Sequence, residues 1–139
     1  MGKRYANLAL VYAVIAMVCG VFYREFTKFR GFEGETRLSV MHTHYFVLGM
    51  FFFLMLMVIE KSLAFSDKRT GLFAVLYQVG LNITGAALLA RGIFQVTVQD
   101  LSRGLDASVS GVAGIGHIIM GVSLIVILVK IRKSAVKQD

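Results

Sequence analysis

The chain contains three histidines, His42, His44 and His117, and each falls inside or at the mouth of an apolar run. An ionisable side chain in such surroundings is costly to hold in lipid and marks a functional position by default. His42 and His44 stand near the start of one run, and His117 stands a little further into another. At a rise of about 1.5 Å per residue, His44 lies roughly 8 Å and His117 roughly 12 Å below the start of its helix, in the same half of a bilayer. Two imidazoles at one level on facing helices suit the two axial positions of a haem, whose flat apolar ring then lies inside the bundle.

The neighbours of these histidines fit a wide planar guest. Gly114 and Gly121 precede and follow His117 by three and four residues, which puts them on its face and leaves room for a macrocycle. Ala113 is small and shares that face, whereas Gly116 points elsewhere. Gly49 follows His42 by seven residues and shares its face, while Leu48 and Phe51 share the face of His44. His42 and His44 are about 200° apart on a regular helix, so both cannot reach one metal. Depth favours His44 and the Gly49 face favours His42; His44 is the preferred ligand. The bland reading of the same residues is an interfacial His42 and glycines that only let helices approach closely.

Other polar groups are few. Arg91, at the end of the third apolar run, is either a partner for haem propionates or a head-group anchor, with Arg24 and Arg37 as rivals. Gln78 and Asn82 form an i, i+4 pair that suits hydrogen bonding between helices. Met41, Met50, Met55, Met57 and Met120 could be soft copper ligands, but core or lipid-facing filler explains most of them more simply. There is no CxxCH, no HExxH and no glycine-rich phosphate loop, and no carboxylate lies mid-membrane for a proton relay.

The elements that position these residues follow from composition. Of 139 residues 57% are hydrophobic, only 17% are charged, and proline is absent. A soluble domain of that size cannot bury so much apolar surface, and a disordered chain would be richer in charge. The chain is therefore expected to be an integral membrane protein. Four segments, about 5–23, 39–59, 71–90 and 109–129, reach the roughly 20 apolar residues that span a bilayer. The expected fold is all-α, a four-helix bundle forming a single transmembrane domain over 1–139, and the first segment, lacking a cleavage site, is expected to be retained. The termini and middle loop share one side and carry nine of the 15 Lys and Arg residues. The other side carries six, diluted by acids that include Asp100. The positive-inside rule then puts both termini in the cytoplasm. The net charge of +7 is thus an orientation signal, and nucleic acid is not an expected partner. Cys19, the one cysteine, can build no intrachain disulfide or CxxC pair.

An offset of 65 pairs Arg4 with Arg69, Ala9 with Ala74, Tyr12 with Tyr77, Val14 with Val79 and Gly20 with Gly85, and an offset of 72 pairs Gly49 with Gly121. These matches are what two related helical hairpins would leave, and equally what chance yields in apolar helices. A true repeat would have its pseudo-twofold axis along the membrane normal.

The stretch from His42 through Thr43, His44 and Gly49 to Phe51 resembles the His-x-His helix of membrane haem proteins related to subunit I of the haem–copper oxidases, a group that includes the haem–copper proteins of the bacterial nitric-oxide response. The whole chain, with the Gly-Ile-Gly-His motif ending at His117, also resembles a family of small uncharacterised bacterial membrane proteins. The resemblance implies haem b held by His44 or His42 together with His117, in a bacterial plasma membrane. It does not carry over oxygen reduction, which needs more spans and a multi-histidine copper site. The expected function is electron transfer or the handling of haem or a gaseous ligand. A quinone or another redox protein is the natural partner beside the lipid bilayer, and a homo-oligomer would double the available histidines. Two other readings stay open: a copper or zinc binding or transport protein using His42, His44 and methionines, and a cofactor-free accessory membrane subunit.

Overall fold

The computed structural model describes residues 1–98 and 102–137; Asp100 of the third loop lies outside them. The described residues form four helices and no strands: α1 (Gly2–Phe29), α2 (Leu38–Leu63), α3 (Lys68–Thr97) and α4 (Arg103–Ala135). Each is long and apolar enough to cross a membrane, and together they make the expected four-helix membrane bundle. Every helix exceeds the span read from hydropathy. An apolar-run count stops at the first charged residue, whereas the backbone stays helical beyond it because its N–H and C=O groups still need partners near lipid. α1 accordingly runs past Arg24 to Phe29, where Gly31 at φ +60° turns the chain back.

Helices in lipid gain little from burying apolar side chains against one another, so close packing has to hold them together. α1 lies along α2 and α3 along α4, and α2 joins the two pairs by packing on α3. A glycine stands at each crossing. A side chain at Gly49 of α2 would collide with the Tyr12 ring of α1, and one at Gly92 of α3 would collide with Leu38 at the start of α2. The tightest approach joins α3 and α4. A Cβ at Gly80 would lie 2.6 Å from the Met120 nitrogen and 2.7 Å from the Gly116 carbonyl oxygen, while one at Gly116 would meet Thr84.

The core is aromatic. Tyr5 and Tyr12 of α1, Phe53 of α2 and Tyr77 of α3 are all nearly or fully buried. Tyr12 stacks on Phe53 at 5.7 Å between centroids, and Tyr77 on Phe52 at 4.2 Å. Such offset pairs add about 0.5–1.5 kcal/mol each beyond the area they bury. The offset-65 partners Ala9 and Ala74, and Tyr12 and Tyr77, all reach this core. The offset-72 partners diverge: Gly49 packs on Tyr12, whereas Gly121 has open space around it.

At the end of the bundle that holds both termini, Tyr5 shares a hydrogen bond of 2.8 Å with Ser66, and Lys130 of α4 pairs with Asp67. Asp67 also caps α3, accepting from the Thr70 N–H at 2.7 Å and the Thr70 hydroxyl at 2.8 Å. The Lys130 ammonium first, and then the Thr70 donors, hold the Asp67 carboxyl well below the usual carboxylate range.

Two predictions follow from these contacts. Gly80→Val should destabilise the bundle by at least about 2 kcal/mol, because the obstructing atoms are backbone, whereas Gly111→Ala, in open space, should be near neutral; reversible unfolding in mixed micelles reads both. A carboxylate with a depressed pKa contributes stability above its unfolded pKa and loses it as pH falls through the folded one. Asp67→Asn should therefore lower the melting temperature at neutral pH, and its gap from wild type should close only in strong acid, below the ordinary carboxylate range.

Candidate functional site

α2 is not a uniform α-helix. From Tyr45 to Phe51 it is π-helical, and this wider turn starts directly after His44. In and beside this segment the buried residues Met41, Tyr45, Gly49 and Phe53 recur every four positions, whereas those of α1, Tyr5, Ala9, Tyr12 and Ala16, keep ordinary helical spacing. Such π segments frequently mark functional positions. A run apolar on all sides offers no contrast from which to read its period, so the sequence gives no sign of it.

Tyrosines hold the π segment. Tyr77 of α3 donates its hydroxyl to the Leu48 carbonyl at 2.9 Å. Tyr45 donates to Asn82 Oδ1 at 3.4 Å, and the Asn82 amide donates to Tyr12 Oη at 3.0 Å and to the Gln78 carbonyl at 2.9 Å. Gly85 makes room for the Tyr45 hydroxyl, which a Cβ there would approach to 2.0 Å. Of the pair Gln78 and Asn82, only Asn82 bonds between helices, through tyrosines that hydropathy counts only as apolar bulk, whereas the Gln78 amide donates to the Ala74 carbonyl of its own helix at 3.0 Å.

The structure brings His44 and His117 together, with ring centroids 6.4 Å apart and planes at 86°. His44 Nδ1 donates to the Val40 carbonyl at 3.0 Å and His117 Nδ1 to the Ala113 carbonyl at 2.8 Å, in both cases one turn back on the same helix. A carbonyl only accepts, so the proton sits on Nδ1 and the Nε2 lone pair is left free to bind a metal. Two metal–imidazole bonds of about 2.0 Å, one on each side of a single ion, plus the half-widths of two rings, add up to roughly 6 Å.

Space around the pair is uneven. The packing of α4 on α2 is concentrated in the Phe52–Leu63 half of α2, so the two helices part toward the histidines. Gly114 and Gly121, on the His117 face, would meet nothing within 4 Å if given a Cβ. His117 is exposed along this opening and His44 is half-buried.

The remaining sequence-derived site residues lie elsewhere. His42 is not part of the pair: its ring faces Gly20 of α1, and its buried Nδ1 has no hydrogen-bond partner among the described residues. Gly49, expected to make room beside a cofactor, is filled by Tyr12, because α1 occupies that face of α2. Arg91 pairs with Asp106 in the first turn of α4, and Arg24 with Glu25. Among the described residues, no group of three or more His, Cys, Asp or Glu side chains is placed to hold a metal ion. Met41 and Met120 are buried in the core, and Met55 is exposed on the outer face.

The fold and the histidine pair define a small polytopic membrane protein with one conspicuous polar pair in an apolar bundle. The chain belongs to the family described as "Protein of unknown function (DUF2871)", which matches residues 2–134. No curated protein and no solved structure matches it, and none of these comparisons connects the chain to the haem–copper oxidase group that the His42–Phe51 stretch resembles.

Tyr77→Phe removes the donor to Leu48 and should cost about 1 kcal/mol of stability. It should also speed hydrogen exchange at amides 45–53 more than in α4, as read by exchange mass spectrometry.

Proposed function

We propose that the protein binds a b-type haem between α2 and α4, where His44 and His117 would hold it, and passes electrons within the membrane. The observation that carries this reading is the pair itself: two imidazoles at a single-ion separation, both anchored through Nδ1 with Nε2 left over. The open faces of Gly114 and Gly121 suit a flat macrocycle, and the parting of α2 from α4 gives it a place to enter.

When bound, the haem supplies a one-electron iron couple. The chain's own residues do the rest. Val40 and Ala113 fix the imidazole tautomers through their carbonyls, and Tyr77 holds the π segment that begins beside His44. Two histidines holding one haem would favour electron transfer over binding of a gaseous ligand. Arg91 stays with Asp106 and is left out of the site. The charge asymmetry of the loops supports cytoplasmic termini, which sets the pair in the outer half, and the bacterial plasma membrane is what the resemblance of the His42–Phe51 stretch implies. A bare copper or zinc site fits less well, since His42 and the core methionines lie away from the pair.

Absorption spectra of protein made with haem available, oxidised and dithionite-reduced, test the proposal. Wild type and His42→Ala should show a Soret band and reduced α and β bands. His44→Ala and His117→Ala should each weaken it, and the double variant should lack it. Gly114→Leu should reduce haem content while leaving both histidines in place. A full Soret band in the double variant, or none in wild type, would overturn the assignment.

A further inference from the structure

A second site lies at the opposite end of α4 from the free faces of Gly111 and Gly114. There the last turns of α4 and the α2–α3 loop enclose a cavity of about 580 Å³. Its cations are Lys130, Arg132, Lys133 and Lys137, and its one carboxylate is Asp67. That carboxylate is already used: Lys130 pairs with it, and the Thr70 N–H and hydroxyl donate to it. Three cations remain. Among the described residues, Arg132, Lys133 and Lys137 form no ion pair, and Arg132 and Lys133 are exposed. The carbonyl end of α4 presents about half a negative charge to the same space, which three full positive charges outweigh.

The rest of the lining is apolar. Buried Phe65 forms one wall, and Val129 and Val136, both largely exposed, continue the outer face of α4 into the cavity. A site for a soluble anion would not need that wall. Cations above an apolar slot at the end of a membrane span match a molecule with an anionic head and a hydrocarbon tail, and basic pockets between membrane helices bind such head groups.

We propose that this cavity holds the phosphate headgroup of an anionic phospholipid, with Arg132, Lys133 and Lys137 on the phosphate and an acyl chain against Phe65 and Val129. The site is independent of the histidine pair. By tying the end of α4 to the α2–α3 loop, a bound lipid reinforces the contact that Lys130 and Asp67 already make.

Native mass spectrometry of the full chain in detergent, titrated with dioleoyl phosphatidylglycerol or dioleoyl phosphatidylcholine, reads lipid binding directly. Each cation near an anionic head group contributes about fivefold in affinity. Wild type should prefer phosphatidylglycerol by at least roughly tenfold. The triple variant Arg132→Gln, Lys133→Gln, Lys137→Gln should lose that preference, and the single variant Lys133→Glu should weaken it severalfold. The control Arg24→Gln, Lys28→Gln, Arg30→Gln, which removes as many charges at the other end of the bundle, should keep it. Equal loss in both triple variants, no preference in wild type, or equally tight binding of inorganic phosphate would each overturn the proposal.

Discussion

The close approach of α3 and α4 at Gly80, Thr84 and Gly116 sets the geometry on which the rest of the molecule depends. In hydrocarbon every backbone group must be bonded within its own helix, and helices then associate through contact rather than through loss of water. With no side chain at Gly80 or Gly116, backbone meets backbone, and the rotation of α4 about its own axis is fixed. His117 is the next residue after Gly116, about 100° further round. Locking Gly116 onto α3 therefore turns His117 toward α2 and leaves Gly114 and Gly121 facing open space.

α2 meets this arrangement from the other side by a different means. Tyr12 fills the notch at Gly49, Tyr45 enters the notch at Gly85, and Tyr77 reaches the Leu48 carbonyl, so the π segment is held from two neighbouring helices. The same contacts separate the two histidines of α2. His42 goes to α1 and Gly20, and His44 to α4 and His117. Asn82 and the tyrosines thus serve to position α2, whereas among the described residues His42 Nδ1 and Thr84 Oγ1 are buried without partners and His44 and His117 use only their Nδ1 atoms. For a chain with so few polar groups in its spans, the meeting of two such imidazoles is the main physical support for the proposed cofactor role.

Hydropathy alone carried the membrane class and the number of helices and singled out three histidines, because each rests on composition or on the cost of an ionisable group in lipid. The glycine three residues before His117 and the one four after were legible as small neighbours on its face, since helical periodicity places them there. The jobs of Gly49, Gly80, Gly85 and Gly116 were not, because every glycine in an apolar helix reads alike until a second helix arrives. Arg91 read as a propionate partner or a head-group anchor and is paired with Asp106 across a loop. On a single helix, where both are merely two residues apart, only depth favoured His44 over His42. It took the packing of α1 on one face and α4 on the other to assign them different neighbours. The sequence by itself determined what must lie in lipid and which side chains are too polar to lie there without reason. The tertiary structure decided which of them meet, because meeting depends on the rotation of each helix, and rotation is set by backbone contacts at glycines.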